Sequence, residues 1–137
     1  MKKQKLFLLF LITVFIFTAC SSGREASSDK LVYKMSTGEE TYNVITVTNK
    51  NKDGFYLEAD CCNKSLNLGR FEGQFDFITS KAATCTGKNQ NGEEYQIIAE
   101  FKDDKLVISV NSKKPIQECL LLGFGMNVYM SGEYSLE

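Results

Sequence analysis

The residues best suited to chemistry in this 137-residue chain are its five cysteines. Cys20 ends an apolar N-terminal run, whereas Cys61, Cys62, Cys85 and Cys119 lie in the region that follows. There is no histidine and no Cys-x-x-Cys pair, so neither a zinc site nor a Cys–His nucleophile is indicated. An exported chain with four further cysteines is expected to form disulfides. Because a bridge between neighbours is strained, we expect two disulfides, with Cys61 and Cys62 each joined to a different partner, Cys85 or Cys119.

Carboxylates are the remaining candidates for acid–base chemistry, since the chain has no histidine. Asp60, Glu72, Asp76 and Glu133 fall at outward positions of predicted strands, where a charged side chain is ordinarily solvated. Neither of the glycine-rich nucleotide-binding patterns occurs. The sequence therefore predicts a protein that is not an enzyme and that holds no metal or cofactor.

Recognition of a partner needs only exposed side chains on a rigid scaffold. Tyr56 and Tyr129 fall at outward positions, and tyrosine is favoured at interfaces. Lys113 and Lys114 lie in a predicted loop. We predict that these four residues contact a protein partner. The candidate contact surfaces are four predicted turns or loops: 36–41, 49–54, 86–93 and 111–118.

The N-terminus is typical of an export signal. Three lysines precede the apolar run 6–17, whose length of about 12 residues is short of the about 20 that span a bilayer. Phe17-Thr18-Ala19-Cys20 resembles a bacterial lipobox. The resemblance implies that residues 1–19 are a cleaved signal peptide, and that acyl chains such as palmitate on Cys20 anchor the protein in a membrane. Ser21 in place of aspartate is similar to the sorting signal of outer-membrane lipoproteins that face the periplasm.

The mature chain carries too little positive charge for a nucleic-acid partner. Signal cleavage removes three of the 16 Lys and Arg and leaves all 17 Asp and Glu, which gives a formal charge of −4. A basic patch is the usual footprint of nucleic-acid binding, and no basic block occurs. Residues 20–30 are then the lipidated cysteine with a flexible polar tether, and residues 31–137 form one domain.

Alternation of apolar and polar residues predicts strands throughout this domain. In the stretch 70–77, one face of the predicted strand would carry Phe71, Gly73, Phe75 and Phe77. The same alternation predicts strands in further stretches: 31–35, 42–48, 54–60, 94–101, 105–110 and, longest of all, 124–136. A short helical turn is predicted at 115–122.

Short turns join these strands, which favours an antiparallel meander. Asp53-Gly54 and Asn91-Gly92 suit turns that need a positive φ, and 102–104 suits a third tight turn. About eight strands with local connections predict an all-β fold, a single small antiparallel β-barrel that closes on itself. A two-sheet sandwich is the alternative.

Four glycines are predicted to serve the structure. Gly73 and Gly132 occupy matching positions in two similar strand stretches, where a glycine lets a strand bend or lets another backbone approach. Gly123 and Gly125 flank Phe124 in a Gly-Phe-Gly sequence.

The C-terminal half resembles a group of small exported bacterial domains that remain largely uncharacterised. Gly123 to Val128 followed by Gly132-Glu133-Tyr134 is similar to their ending, Cys-Gly-Phe-Gly, two residues, Val, a gap and Gly-x-Tyr. Leu122 stands where that pattern has cysteine, and Cys119 lies three residues earlier. More distantly, the chain is similar to membrane-bound lipoprotein inhibitors of c-type lysozyme, although it lacks their Trp-Lys-Gly element. This resemblance implies an inhibitory or protective protein.

Two functions remain open from the sequence. The first is a protein-binding module of the cell envelope, inhibitory or protective, and anchored through Cys20. The alternative is a carrier that holds a small hydrophobic ligand in the barrel mouth.

Overall fold

The structure, a computed structural model, describes residues 29–36 and 42–137. The predicted signal peptide 1–19, Cys20 and most of the predicted tether lie outside the described residues. The boundary of the predicted domain at residue 31 coincides with the start of the first strand.

The described chain contains eight strands and one short helix. The strands are β1 (Leu31–Ser36), β2 (Tyr42–Thr48), β3 (Gly54–Cys62), β4 (Leu68–Phe77), β5 (Ala82–Lys88), β6 (Glu94–Lys102), β7 (Lys105–Ser112) and β8 (Gly132–Leu136). The helix α1 (Glu118–Leu122) lies between β7 and β8, inside the stretch predicted to be helical.

The strands form a closed antiparallel barrel in sequence order, with β8 paired to β1. The predicted meander barrel is therefore confirmed, and the sandwich alternative is wrong. Each strand has one face toward the interior, because side chains alternate along a strand. Closure pairs Tyr33 with Leu136 and Lys34 with Ser135.

The two ends of the barrel differ. One end, which we call the turn end, holds the start of β1 and the turns 49–53, 78–81 and 103–104. The other end, the helix end, holds the loops 63–67 and 89–93 and the long connection 113–131 with α1. The long connection 113–131 gives the helix end a larger loop surface, whereas only short turns lie at the turn end.

Aromatic rings fill the interior toward the turn end. Phe55 and Phe75 are fully buried and stack with ring centroids 5.3 Å apart. Phe77 and Phe101 approach Phe55 edge-on at 5.5 and 5.3 Å, the arrangement that aromatic quadrupoles favour. The ammonium of Lys50 lies 3.8 Å from the ring centre of Phe101 and covers this cluster. Rings from the three strands β3, β4 and β6 thus join into one core.

Two details of the predicted turns and strands were wrong. In the first turn the left-handed residue is Asn49, with φ 54°, whereas Gly54 is buried in β3 against the carbonyl of Phe75. The predicted strand 124–136 begins only at Gly132. Residues 124–131 instead cross the helix end, where side chains of other elements bind their backbone. Gly92 does take a positive φ, of 78°, as predicted.

We expect Phe55→Ala to destabilise the domain by about 3–5 kcal/mol, because a fully buried ring is replaced by a cavity. Urea unfolding followed by circular dichroism measures the change. Ile78→Ala is the matched control, since Ile78 is exposed at the turn end and should change stability by less than about 0.5 kcal/mol. Equal effects of the two substitutions would contradict the assignment of the core.

Candidate functional site

A buried hydrogen-bond cluster closes the barrel at the helix end. The hydroxyl of Tyr134, which is fully buried, donates to the carbonyl of Met130 at 2.6 Å. The amide nitrogen of Asn43 donates to the carbonyl of Tyr129 at 2.8 Å and lies 3.4 Å from the Tyr134 hydroxyl. The N–H of Cys62 donates to Asn43 Oδ1 at 3.3 Å. These bonds tie β2, β3 and β8 to the segment that crosses the barrel end.

Glu118 holds the same segment from the helix. Its Oε1 accepts the N–H groups of Met130 and Ser131 at 2.5 and 2.9 Å. Its Oε2 accepts the hydroxyl of Ser131 at 2.5 Å, and that hydroxyl oxygen accepts the N–H of Val110 at 3.2 Å. One carboxylate therefore links α1, the crossing segment and β7. No buried side-chain nitrogen or oxygen of the described residues lacks a hydrogen-bond partner.

The helix α1 presents two faces. Cys119 and Leu121 are buried, whereas Leu120 is 65% exposed. The helix ends at Gly123, whose left-handed φ of 71° lets the N–H of Phe124 bond back to the carbonyl of Cys119 at 2.7 Å. A glycine meets this demand without strain.

The segment after α1 docks on the loop 63–67 and the start of β4. The ring of Phe124 covers Gly69, where an added Cβ would lie 2.5 Å from the ring. The N–H of Gly125 donates to the carbonyl of Leu68 at 2.9 Å. The side chain of Asn63 donates to the carbonyl of Met126 at 2.7 Å. The crossing segment is therefore held along its length.

The four glycines predicted to be structural lie at close contacts or at the helix cap. Gly123 caps α1, and a Cβ on Gly125 would lie 2.8 Å from Asn67 Cβ. Gly73 lies beside the sulfur of Cys85, and Gly132 lies under the sulfur of Met35, at 3.2 and 2.7 Å from an added Cβ. Sequence reasoning had no means to find the partners of these contacts.

Large apolar side chains remain exposed mainly at the helix end. Of the eight such residues in the described chain, six lie there. We call them the apolar rim: Tyr42, Leu66, Leu68, Leu120, Met126 and Tyr129. Leu66 and Met126 are 77% and 73% exposed, and Leu66 takes a left-handed φ of 59°, which is uncommon for such a residue and costs energy.

The four residues predicted to contact a partner do not share one surface. Tyr56 lies on the outer face of β3 near the turn end, where burial, followed by Glu72 and Glu58, raises its pKa. Tyr129 lies at the helix end, where its carbonyl accepts Asn43, the residue that pairs with Cys61 of β3. Cys61 is about 17 Å along β3 from Tyr56. Only Tyr129 belongs to the apolar rim.

The two predicted contact lysines are engaged within the chain. The ammonium of Lys113 lies 2.8 Å from Glu94, and that of Lys114 lies 2.7 Å from Glu93. Lys88 lies 3.4 Å from the other oxygen of Glu94, and these hydrogen bonds and charges lower the pKa of Glu94. Exposed pairs of this kind contribute little stability, but they leave less charge for a partner.

Three clefts open on the surface around the helix end. One of about 580 Å³ lies beside the ends of β5, β6 and β7, and is lined by Thr86, Tyr95, Gln96 and Asn111, among others. A second, of about 410 Å³, lies between β4, β5 and α1. A third, of about 280 Å³, lies near Asn43, Cys62 and Tyr129. The barrel interior between them is filled by the buried core side chains.

The four cysteines of the barrel are free thiols in the structure, which departs from the expectation of two disulfides. Cys61 and Cys119 are buried members of the core, and Cys85 packs against it. Cys62 lies outside that core cluster and lines the third cleft. Along β3, Cys62 falls at a position whose side chain faces outward. Along β5, Cys85 falls at an inward position, like buried Ala83. A bridge between these two would have to cross the barrel wall.

The predicted outward carboxylates are solvated. Asp60, Glu72, Asp76 and Glu133 are exposed, and Glu133 pairs with Lys105. Within residues 29–36 and 42–137, no three His, Cys, Asp or Glu side chains come together as a metal site would require. In the same ranges, no helix has the length and apolar character needed to cross a membrane.

Comparison with known proteins gives no relative to reason from: no family model, no curated protein and no solved structure matches this chain. The resemblance to exported bacterial domains and, more distantly, to lysozyme inhibitors stays an expectation from the sequence.

We expect Glu118→Ala to cost about 2–3 kcal/mol, because it removes a charged acceptor and leaves the partly buried N–H groups of Met130 and Ser131 without their partner. Chemical denaturation measures the loss. Glu118→Gln keeps one acceptor oxygen and should cost less than half as much. Glu133→Ala removes only an exposed ion pair and should cost under about 1 kcal/mol. A cost for Glu118→Ala as small as that for Glu133→Ala would contradict the assigned role.

We expect stability of the reduced protein to fall as pH rises from about 9 toward 12. Burial, followed by the charges of Glu118 and Asp60, raises the pKa of Cys61 from 9.0 to about 12. The unfolded thiol therefore ionises first, so the contribution of Cys61 is complete below pH 9 and is lost as pH approaches 12. Burial also raises the pKa of Tyr134, which adds to the same trend.

Cys61→Ala should reduce the slope of stability against pH in this range, measured by urea unfolding at stepped pH. Ile78→Ala, which removes no ionisable group and lies exposed at the turn end, is the control and should leave the slope unchanged. An unchanged slope in Cys61→Ala would show that this thiol does not titrate abnormally.

Proposed function

We propose that this protein is a non-enzymatic binding module that recognises a protein partner with its apolar rim. The observation that carries the proposal is the clustering of six of the eight exposed large apolar side chains at the helix end. Soluble domains seldom gather exposed apolar surface in one place, and such patches commonly mark interaction sites. Aromatic and methionine side chains, which the rim contains, are also enriched in interface cores.

The rim is built on a rigid base, which lowers the entropy that binding must cost. Met126 is held through its carbonyl by Asn63, and Tyr129 is held through its carbonyl by Asn43. Leu68 and Leu120 belong to β4 and α1. The side chains of the apolar rim therefore project from a backbone that hydrogen bonds and secondary structure hold in place.

The direction of the barrel fits an anchored module. β1 begins at Leu31 at the turn end, so a tether ending at residue 30 would leave from the end opposite the rim. If Cys20 is lipidated, as its lipobox-like sequence predicts, the rim would point away from the membrane. The proposal places the protein in the cell envelope, with an inhibitory or protective action on its partner.

A surface function is favoured over the carrier alternative because large side chains fill the interior. Phe55, Phe75 and Tyr134 are each fully buried, and they span the barrel from the turn end to the helix end. A hydrophobic ligand would have to displace these rings.

The experiment is site-specific photo-crosslinking of the full-length protein in its own cells. A benzophenone amino acid is placed singly at Leu68, Leu120 and Met126. The matched control is Ile78, which is also exposed, at 58%, but lies at the turn end. We expect the three rim positions to give one adduct of the same mass, and Ile78 to give none.

Two results would overturn the proposal. Adducts of equal yield at Ile78 and at the rim would indicate contact without a preferred surface. Absence of any adduct at the three rim positions, in protein shown to be folded and at its native level, would indicate that the rim binds no protein.

A further inference from the structure

We propose that the boundary between β4 and β5 is a strand-addition site, which accepts an extended segment of a partner polypeptide between the two strands. We call this boundary the seam; it is formed by residues 68–75 of β4 and 85–88 of β5. The site borders the apolar rim at Leu68 and Leu120, and it does not depend on lipid attachment.

The seam is the weakest hairpin of the barrel. β4 and β5 are registered only at Asp76 with Thr84 and at Phe77 with Ala83, beside the turn 78–81. By contrast, β3 and β4 pair from Gly54 with Asp76 to Cys62 with Leu68, over the whole length of β3. Beyond Asp76 and Thr84, β4 pairs with no strand other than β3, and β5 with no strand other than β6. At its start, β4 is also covered by the crossing segment, since the N–H of Gly125 donates to the carbonyl of Leu68.

The direction of the backbone groups shows which residues of β4 face the seam. In a strand the N–H and C=O of one residue point to the same neighbour, and those of the next residue point to the other. The N–H of Phe77 donates to Asp53, on the β3 side, whereas the carbonyl of Leu68 turns away from β3 and accepts Gly125. The even-numbered residues therefore face the seam, among them Arg70, Glu72 and Gln74.

The same reasoning applies to β5. The carbonyl of Lys81 accepts the N–H of Phe101, on the β6 side, and the N–H of Asn89 donates to Glu93 across the next turn. Odd-numbered residues of β5 thus face β6, which leaves Thr86 and Lys88 facing the seam. Within the described chain, the strand pairing gives the seam-facing groups of these residues no partner strand. Two facing strand edges of this kind are a template for another strand.

The inner side of the seam is apolar and specific in shape. The rings of Phe71 and Tyr95 meet edge to face at 6.4 Å beneath it, and the sulfur of Cys85 lies next to Gly73. A side chain of the added strand that points inward would contact these groups. The segment we propose therefore carries apolar side chains at alternate positions.

The seam ends at a cleft at the helix end, which sets where the strand enters. An inserted strand needs about 9–10 Å between β4 and β5, twice the ordinary spacing, so the two strands must separate to admit it. At Gly73 the strands are close, since an added Cβ would lie 3.2 Å from Cys85 Sγ. At the helix end the cleft of about 410 Å³ is lined by Phe71, Tyr95 and α1. The partner segment enters there and pairs with Arg70 and Glu72 on one side and Lys88 on the other.

Residue-resolved amide exchange of the full chain, measured by NMR, tests the seam itself. The amides of Arg70, Glu72, Gln74, Thr86 and Lys88 should exchange much faster than those of their odd-numbered neighbours. If the amides of both sets are equally protected, β4 and β5 are paired in solution and the proposal is wrong.

The binding test uses a blocked heptapeptide of alternating threonine and valine as the probe. At about 1 mM, a concentration that detects weak association, it should protect the amides of Arg70, Glu72 and Lys88. The matched control is the same peptide with N-methyl groups on alternate residues, which keeps the side chains but removes the strand's donors. Absence of protection by the first peptide, or equal protection by both, overturns the proposal.

Lys88→Pro and Lys88→Val form the matched pair of variants. Proline removes an N–H that faces the seam and leaves the β5–β6 hydrogen bonds, so the edge position should tolerate it. Loss of one hydrogen bond should weaken the probe about tenfold, whereas Lys88→Val should bind as the unmodified chain does. Amide exchange of β6 shows whether Lys88→Pro folds. If it does not, the N-methylated control still decides.

Discussion

Closure of the helix end depends on a few buried or partly buried polar groups. Glu118 and Asn43 come from elements far apart in the sequence, and both bind the backbone of the segment that ends in β8. A carbonyl or N–H taken out of water without a partner costs more than a formed hydrogen bond contributes. The crossing segment therefore has one low-energy position, and the fixed placement of Met126 and Tyr129 follows from it.

Different interactions stabilise the two ends of the barrel. Toward the turn end, stacked and edge-on phenylalanine rings supply the apolar burial that a domain of this size needs. Toward the helix end, polar bonds replace part of that burial and set a unique geometry, as buried networks do when every member is satisfied. The apolar rim and the open part of the seam both lie where the polar bonds dominate.

The alternation of residue types was enough to predict the strands, because one buried face is a local property of each strand. It was also the reason that 124–131 was wrongly predicted as a strand. Phe124, Val128 and Met130 are buried at even spacing, as they would be in a strand, although the segment crosses a barrel end. Alternation of apolar and polar residues indicates an extended backbone with one buried face. It does not report which neighbour receives the hydrogen bonds.

The candidate sites were less predictable for the same reason. Tyr129 was found from its outward parity, but the other members of the apolar rim come from five separate segments that only the fold brings together. Asn43 and Glu118 gave no sequence signal, since one polar residue in a strand or helix is ordinary. The seam depends on register between β4 and β5, which side-chain patterns do not encode. Which cysteines can form a disulfide depends on the side of the barrel wall on which each one lies, and their spacing in the sequence does not give this.

The pairing of β8 with β1 has a consequence for how the chain folds. Every other strand pairs with its neighbour in sequence. Short turns or loops join these pairs within 42–112, whereas β7 and β8 are joined by the long connection 113–131. The last contact, in which the N–H of Glu137 donates to the carbonyl of Val32 at 2.9 Å, joins residues more than a hundred positions apart. Contacts of such separation form slowly. A curled sheet whose outer edges, on β1 and β8, are still open would then precede the barrel. A chain truncated before Gly132 could not close, and it would leave the edges of β1 and β7 open to proteases and to aggregation.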